Sequence, residues 1–285
     1  MKIKALVNRH PVLSYYLLAF TISWGAIVVV VGPEGLSGTG ATIFVAGLVS
    51  LTGPSIAGIV MTAIVDGRAG LRELRSRLLR WRVGARWYVV ALLTAPVVMA
   101  GTVLAMSAFD PAFTPAIVTT DDRFRLLAMS IGAGLVCPIF EELGWTGFAT
   151  PRLLERHGVL ATGLFMGVLW SAWHFPFFSG SSDPSGLVPS PLLVAVVLFA
   201  WLPPYRVLMV WVYERTRSVF LAILMHTPIF AGMYVLADDA TGAGLAAKLL
   251  AWGAAYWAIA LVAIWSSSRA RIGARAAIAP TELPA

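Results

Sequence analysis

Cysteine is almost missing from this chain, and charge is scarce. Cys137 is the only cysteine among 285 residues, so an intrachain disulfide and CxxC-type zinc or redox motifs are excluded. Charged residues make up 12% of the sequence, against roughly 25% in an average soluble domain. Histidine occurs four times, and never in the HExxH arrangement of the zincins. No small-residue cleavage site follows the first apolar run, so a signal peptide is not expected. No internal repeat of the transporter kind is found, and the polar tail after Ser266 is the one low-complexity stretch.

What fills the sequence instead is apolar residues, 59% of the total. Runs of about 20 recur along the whole length, the span a helix needs to cross hydrocarbon. In lipid each run must be a helix, because only a helix satisfies its own backbone hydrogen bonds. The expectation is an all-α, polytopic integral membrane protein of the cell membrane with about eight transmembrane helices. The spans read as residues 12–31, 41–65, 87–108, 124–150, 158–178, 187–212, 219–236 and 245–265. Nothing between them is long enough to fold alone, so 1–285 reads as a single membrane-embedded domain.

The basic residues orient it. Placing the N-terminus inside puts 17 of the 21 basic residues on inner segments. The outer segments hold Arg123 and Arg125 but collect Glu34, Asp110, Asp121, Asp122, Asp183, Asp238 and Asp239. Both termini are therefore expected in the cytoplasm. That placement makes the net charge of +7 a matter of topology and the lipid bilayer, and no nucleic-acid partner is expected. The inner loop 66–86 alternates leucines at 71, 74, 78 and 79 with arginines, the pattern of a basic amphipathic helix on anionic headgroups. The tail, 266–285, is expected to be polar and cytoplasmic.

Against this background the stretch "CPIFEELGWTGFATPRLLERHG" is out of place. Residues 126–140 carry no charge, yet Glu141 and Glu142 follow at membrane depth. An ionisable group there costs about 2.5–3.5 kcal/mol on insertion scales and marks a functional site by default. His174, Arg206 and His226 share that position on other spans. Counting ~1.5 Å per residue puts Glu142, Arg206 and His226 each about 10–12 Å from an inner boundary. His174 counts to about 24 Å. An antiparallel hairpin closed near "ERHG" levels it with Glu141, provided that the arms are irregular or project past the membrane. Cys137, Glu141 and Trp145 share one helix face, and Trp170 lies four residues before His174. Trp145, Trp170 and Trp173 either pack the core or wall a cavity. Two histidines and a carboxylate in low dielectric suit water activation. They could also hold zinc, without forming a distinctive zinc set.

"EELGWTGFATPRL", "WSAWHF" and "ILMHTPIF", in this order within 137–230, resemble the three motifs of the CAAX-protease and bacteriocin-processing (CPBP, or Abi) family. These are intramembrane endopeptidases related to the type II CAAX prenyl protease. The resemblance implies a metal-independent protease with no cofactor, acting on a membrane peptide or lipidated protein. It implies Glu141 as the base activating water, His174 as its assistant and His226 as an oxyanion contact, with Glu142 and Trp170 in support. Two departures bear on activity. Thr146 stands where the family usually has arginine, and Phe230 where it commonly has asparagine. Arg206 is expected to replace the missing arginine by pairing with Glu142. Three other readings stay open: a non-catalytic immunity factor or membrane adaptor, a proton-coupled transporter, and a hydrolase using Cys137.

Overall fold

The computed structural model describes residues 2–32, 40–178 and 183–278. Glu34 and the end of the polar tail, 279–285, lie outside the described residues. Helices follow one another along the chain: α1 (Lys2–Arg9), α2 (Pro11–Val31), α3 (Gly40–Val65), α4 (Gly67–Leu78), α5 (Ala85–Ser107) and α6 (Ala116–Thr119). Then come α7 (Arg123–Gly144), a π-helical turn (Trp145–Ala149), α8 (Thr150–Leu154), α9 (Val159–Trp173) and α10 (Phe175–Phe178). The chain continues through α11 (Ser190–Phe199), α12 (Leu202–Thr216), α13 (Val219–Val235) and α14 (Gly242–Ile278). Among the described residues there is no strand. The fold is all-α and polytopic.

Among the described residues six helical segments are long and apolar enough to span a membrane: Pro11–Val31, Val45–Val65, Ala85–Ser107, Arg123–Leu154, Ser190–Thr216 and Gly242–Ser267. Two shorter apolar helices, Val159–Trp173 and Val219–Val235, complete the order that the hydropathy predicts. At 15 and 17 residues they reach only about 22–26 Å, less than a full hydrocarbon thickness of ~30 Å. Local chemistry sets several ends. Asp122 accepts a hydrogen bond from the Arg125 amide at 2.9 Å, and Ser218 one from the Leu221 amide at 3.0 Å, each an N-cap.

Two spans depart from the continuous helices that hydropathy suggests. Residues 187–212 divide at Ala200–Trp201, and Pro203 and Pro204 fall in the first turn of the new helix, where proline is well accommodated. The 158–178 run ends at Trp173, with His174 as its cap and Pro176 starting a separate short turn. The π turn after Gly144 is a third irregularity, where the Thr150 hydroxyl donates to the Trp145 carbonyl at 2.9 Å.

The second half of the broken span is the centre of the molecule. Every residue from Leu202 to Val210 is buried, as expected of a helix apolar on all sides and surrounded by others. It lies closest to α9. A Cβ added at Gly163 would come 2.5 Å from Val207 Cα, and one at Gly167 2.5 Å from Pro203 Cα. Small residues four apart let two backbones approach in this way. Gly144 on α7 likewise meets α3, where a Cβ would stand 2.1 Å from the Pro54 carbonyl oxygen. Gly167→Val is expected to destabilise the protein by about 1–3 kcal/mol through overpacking, read as a lowered unfolding midpoint in detergent.

The segments expected inside the cell gather at one end of the bundle. The α1–α2 junction, α4, the α8–α9 turn and the end of α12 border a common cleft there. At the opposite end Ala116 N–H donates to Ala237 O at 2.7 Å and Asp239 N–H to Ala112 O at 3.0 Å. Lys248 closes that end with Asp238 at 2.7 Å. The basic loop does form a helix, α4, but not all of its leucines are free to meet lipid. Leu74 is buried against Gly147 of the π turn, whereas Leu79 is 59% exposed.

Candidate active site

Glu141 and Glu142 end α7 side by side, both buried, and consecutive positions on a helix point them to different neighbours. Glu142 faces α12 and α13. The Arg206 guanidinium reaches its carboxylate with both terminal nitrogens, Nη1 to Oε2 at 2.9 Å and Nη2 to Oε1 at 3.0 Å. This two-pronged fit is the strong form of a charge-assisted hydrogen bond. His226 Nδ1 donates to the same Oε1 at 2.9 Å, and the Thr146 hydroxyl donates to Oε2. Both oxygens of Glu142 are thus committed to protein partners. The ion pair expected from matching depths is present, and Thr146, in place of the family arginine, contributes a hydroxyl to the same carboxylate.

Glu141 faces α9. The Trp170 indole N–H donates to Glu141 Oε2 at 2.8 Å. No hydrogen bond to Glu141 Oε1 is found among the described residues. The same tryptophan holds the histidine: His174 Nδ1 lies 2.8 Å from the Trp170 carbonyl oxygen. A carbonyl can only accept, so Nδ1 carries the proton and Nε2 is the ring's acceptor. Trp170 further lies beneath the Arg206 guanidinium, 4.3 Å from the ring centroid, and meets the His226 ring edge-on at 5.0 Å. One indole therefore touches every other member of the group apart from Glu142.

The irregular arms explain how His174 reaches this level. The π turn shortens the rise of the α7 arm, while α9 stops at Trp173 and leaves His174 at its end. Of the two routes that the hairpin count left open, irregular arms are observed. Trp145, Trp170 and Trp173 are each at most 2% exposed. Trp145 stacks on Tyr16 at 5.5 Å and meets Tyr15 and Trp173 edge-on at 5.6 and 6.1 Å. Of the two readings of these tryptophans, Trp145 and Trp173 follow the packing one. Tyr15 OH, Tyr16 OH, Trp145 Nε1 and Trp173 Nε1 are buried without a hydrogen-bond partner among the described residues.

Sequence reasoning missed Tyr15 and Tyr16, which α2 brings against Trp145, and the polar tasks of Trp170 and Thr146. An indole N–H at membrane depth four residues before a histidine was the available signal for Trp170. Phe230 packs on Tyr234 at 5.4 Å and offers no polar group. Cys137 is a free, buried thiol one turn before Glu141. Among the described residues no three of His, Cys, Asp and Glu gather as metal ligands. Glu142 is occupied by Arg206 and His226, and His226 Nδ1 by Glu142.

A family model described as type II CAAX prenyl endopeptidase Rce1-like matches residues 123–229. These run from the start of α7 into α13 and contain all of the acids and histidines just described. Over 105 residues the chain is 30% identical to CAAX prenyl protease 2 of Methanococcus maripaludis, which covers 36% of this chain and 39% of that protein. The chain thus aligns with well under half of that relative's length. Motif order, the extent of the match and the convergence of the motifs in space agree, and residues 123–229 of this chain are similar to the type II CAAX prenyl endopeptidases.

Proposed function

We propose that this protein is an intramembrane endopeptidase of the cell membrane that cleaves a membrane-associated peptide or lipidated protein with a water activated by Glu141. The observation that carries this reading is the double use of Trp170. Its N–H fixes one oxygen of Glu141 and its carbonyl fixes Nδ1 of His174. Each of the two residues then presents one acceptor, Oε1 and Nε2, to a shared water. Glu141 takes the water's proton as hydroxide attacks the peptide carbonyl and later returns it to the leaving amine, so no covalent enzyme intermediate forms. His226 meets the developing oxyanion through Nε2, which donates when the ring carries two protons. Glu142 and Arg206 hold His226 in place without taking part in proton transfer.

The relative's name points to a prenylated C-terminal sequence as the substrate class. A quenched peptide ending in a prenylated CAAX sequence, incubated with the protein in liposomes, is expected to be cut. His174→Ala is expected to slow cleavage by about 10²–10⁴-fold, with KM nearly unchanged. Chelators should leave the rate as it is; activity that disappears with them and returns with zinc alone would replace this mechanism by a metal-dependent one. Phe230 favours a second reading, a non-catalytic adaptor or immunity factor, because one family oxyanion donor is missing. Uncut peptide, together with a wild-type cellular phenotype in a His174→Ala strain, would select that reading.

A further inference from the structure

The cleft at the basic end of the bundle has a volume of about 700 Å³ and belongs to no part of the site described above. Six arginines line it, Arg9, Arg77, Arg80, Arg152, Arg156 and Arg217. Three carboxylates face them, those of Asp66, Glu73 and Glu155, which leaves three positive charges in excess. Two arginines are engaged: Arg152 pairs with Asp66, and Arg77 lies 3.4 Å from Glu73 and donates to the Tyr213 hydroxyl at 2.8 Å. Among the described residues no carboxylate lies within ion-pair distance of Arg9, Arg80, Arg156 or Arg217. Four guanidinium groups from four separate segments thus border one concavity without counter-ions.

Arg217 adds an independent observation. It caps α12 in the left-handed conformation, at φ +52°, and is the one non-glycine residue with positive φ among the described residues. Its N–H donates to the Tyr213 carbonyl at 2.7 Å, the contact usually made by glycine at this place. Any side chain here carries a backbone cost that glycine avoids. The guanidinium lies over the Tyr213 ring, 5.9 Å from its centroid, at the cleft wall. Val12, Leu13, Val65 and Leu153, at the ends of the spans, add an apolar part to the lining.

A wall of unpaired guanidinium groups beside the ends of apolar spans matches an amphiphile with an anionic head. We infer that this cleft binds the phosphate group of an anionic phospholipid, with Arg9, Arg80, Arg156 and Arg217 as its ligands. Basic pockets between spans recognise such headgroups, and guanidinium groups suit phosphate in particular. This inference does not depend on whether the protein cleaves peptides.

Native mass spectrometry of the full-length protein, released from micelles containing equal amounts of phosphatidylglycerol and phosphatidylcholine, tests it. Wild type is expected to retain phosphatidylglycerol adducts in preference to phosphatidylcholine. Arg156→Gln/Arg217→Gly is expected to weaken that retention by about tenfold or more. Glycine is at ease at position 217, so the fold should survive. Arg82→Gln/Arg86→Gln removes the same charge from the 66–86 loop, outside the cleft, and should change nothing. Equal losses in both double variants would mean a diffuse field and overturn the site. Retention unchanged in the cleft variant would also overturn it. Competition by inorganic phosphate without any lipid adduct would keep the phosphate chemistry but overturn the lipid as its source. Thermal unfolding gives a second readout: phosphatidylglycerol should raise the midpoint of wild type and not that of the cleft variant.

Discussion

Glu141→Gln is expected to lower peptide cleavage by about 10²–10⁴-fold while insertion and thermal stability stay near those of wild type. The argument turns on shape. Glutamine is nearly isosteric with glutamate, and its carbonyl oxygen can still accept the Trp170 N–H that now reaches Glu141 at 2.8 Å. The loss of a charge should cost the fold little, because the Arg206 ion pair belongs to Glu142. What the amide cannot do is take a proton from water. Single-turnover cleavage compared with an unfolding curve separates the two effects. A variant that cuts at the wild-type rate would remove Glu141 as the base, and one that unfolds would show the carboxylate to be structural.

Arg206→Met is expected to have the largest effect on stability, about 3–5 kcal/mol. Arg206 and Glu142 are both fully buried, and removing the cation leaves a carboxylate in low dielectric with only His226 and Thr146 as partners. The cost is chiefly that of the stranded charge. Combining the change with Glu142→Gln should therefore recover much of the loss, since replacing a buried ion pair by neutral groups is often neutral or stabilising. Unfolding of the two single variants and the double variant completes a thermodynamic cycle. Additive losses in the double variant would contradict the pairing as the source of stability.

Much of this architecture could be read from the chain. The apolar segments were legible because hydrocarbon imposes a length and a helix on each. The Glu142–Arg206 contact was legible because a fixed rise per residue turns sequence distance into depth. Orientation about the helix axis was not. It depends on the π turn at Trp145–Ala149 and on the breaks at His174 and Ala200–Trp201, none of which hydropathy registers. The task of Trp170 was hidden for a related reason. It divides its hydrogen bonds between a side-chain donor and a backbone carbonyl, and a periodicity argument treats the residue as a single apolar body. Tyr15 and Tyr16 were missed because an aromatic pair in an early span carries no charge to mark it. Thr146 was read only as a missing arginine, although its hydroxyl serves the carboxylate beside it.

The glycine-lined seam between α9 and α12 limits how this protein can move. With main chain resting on main chain at Gly163 and Gly167, no compressible side chain is left to act as a spring, so the two rods must travel as one piece. Trp170 and His174 ride on the first rod and Arg206 on the second. Under the proposed function, a polypeptide entering from the bilayer would have to part a different pair of walls, and the reacting groups would keep their spacing while it did.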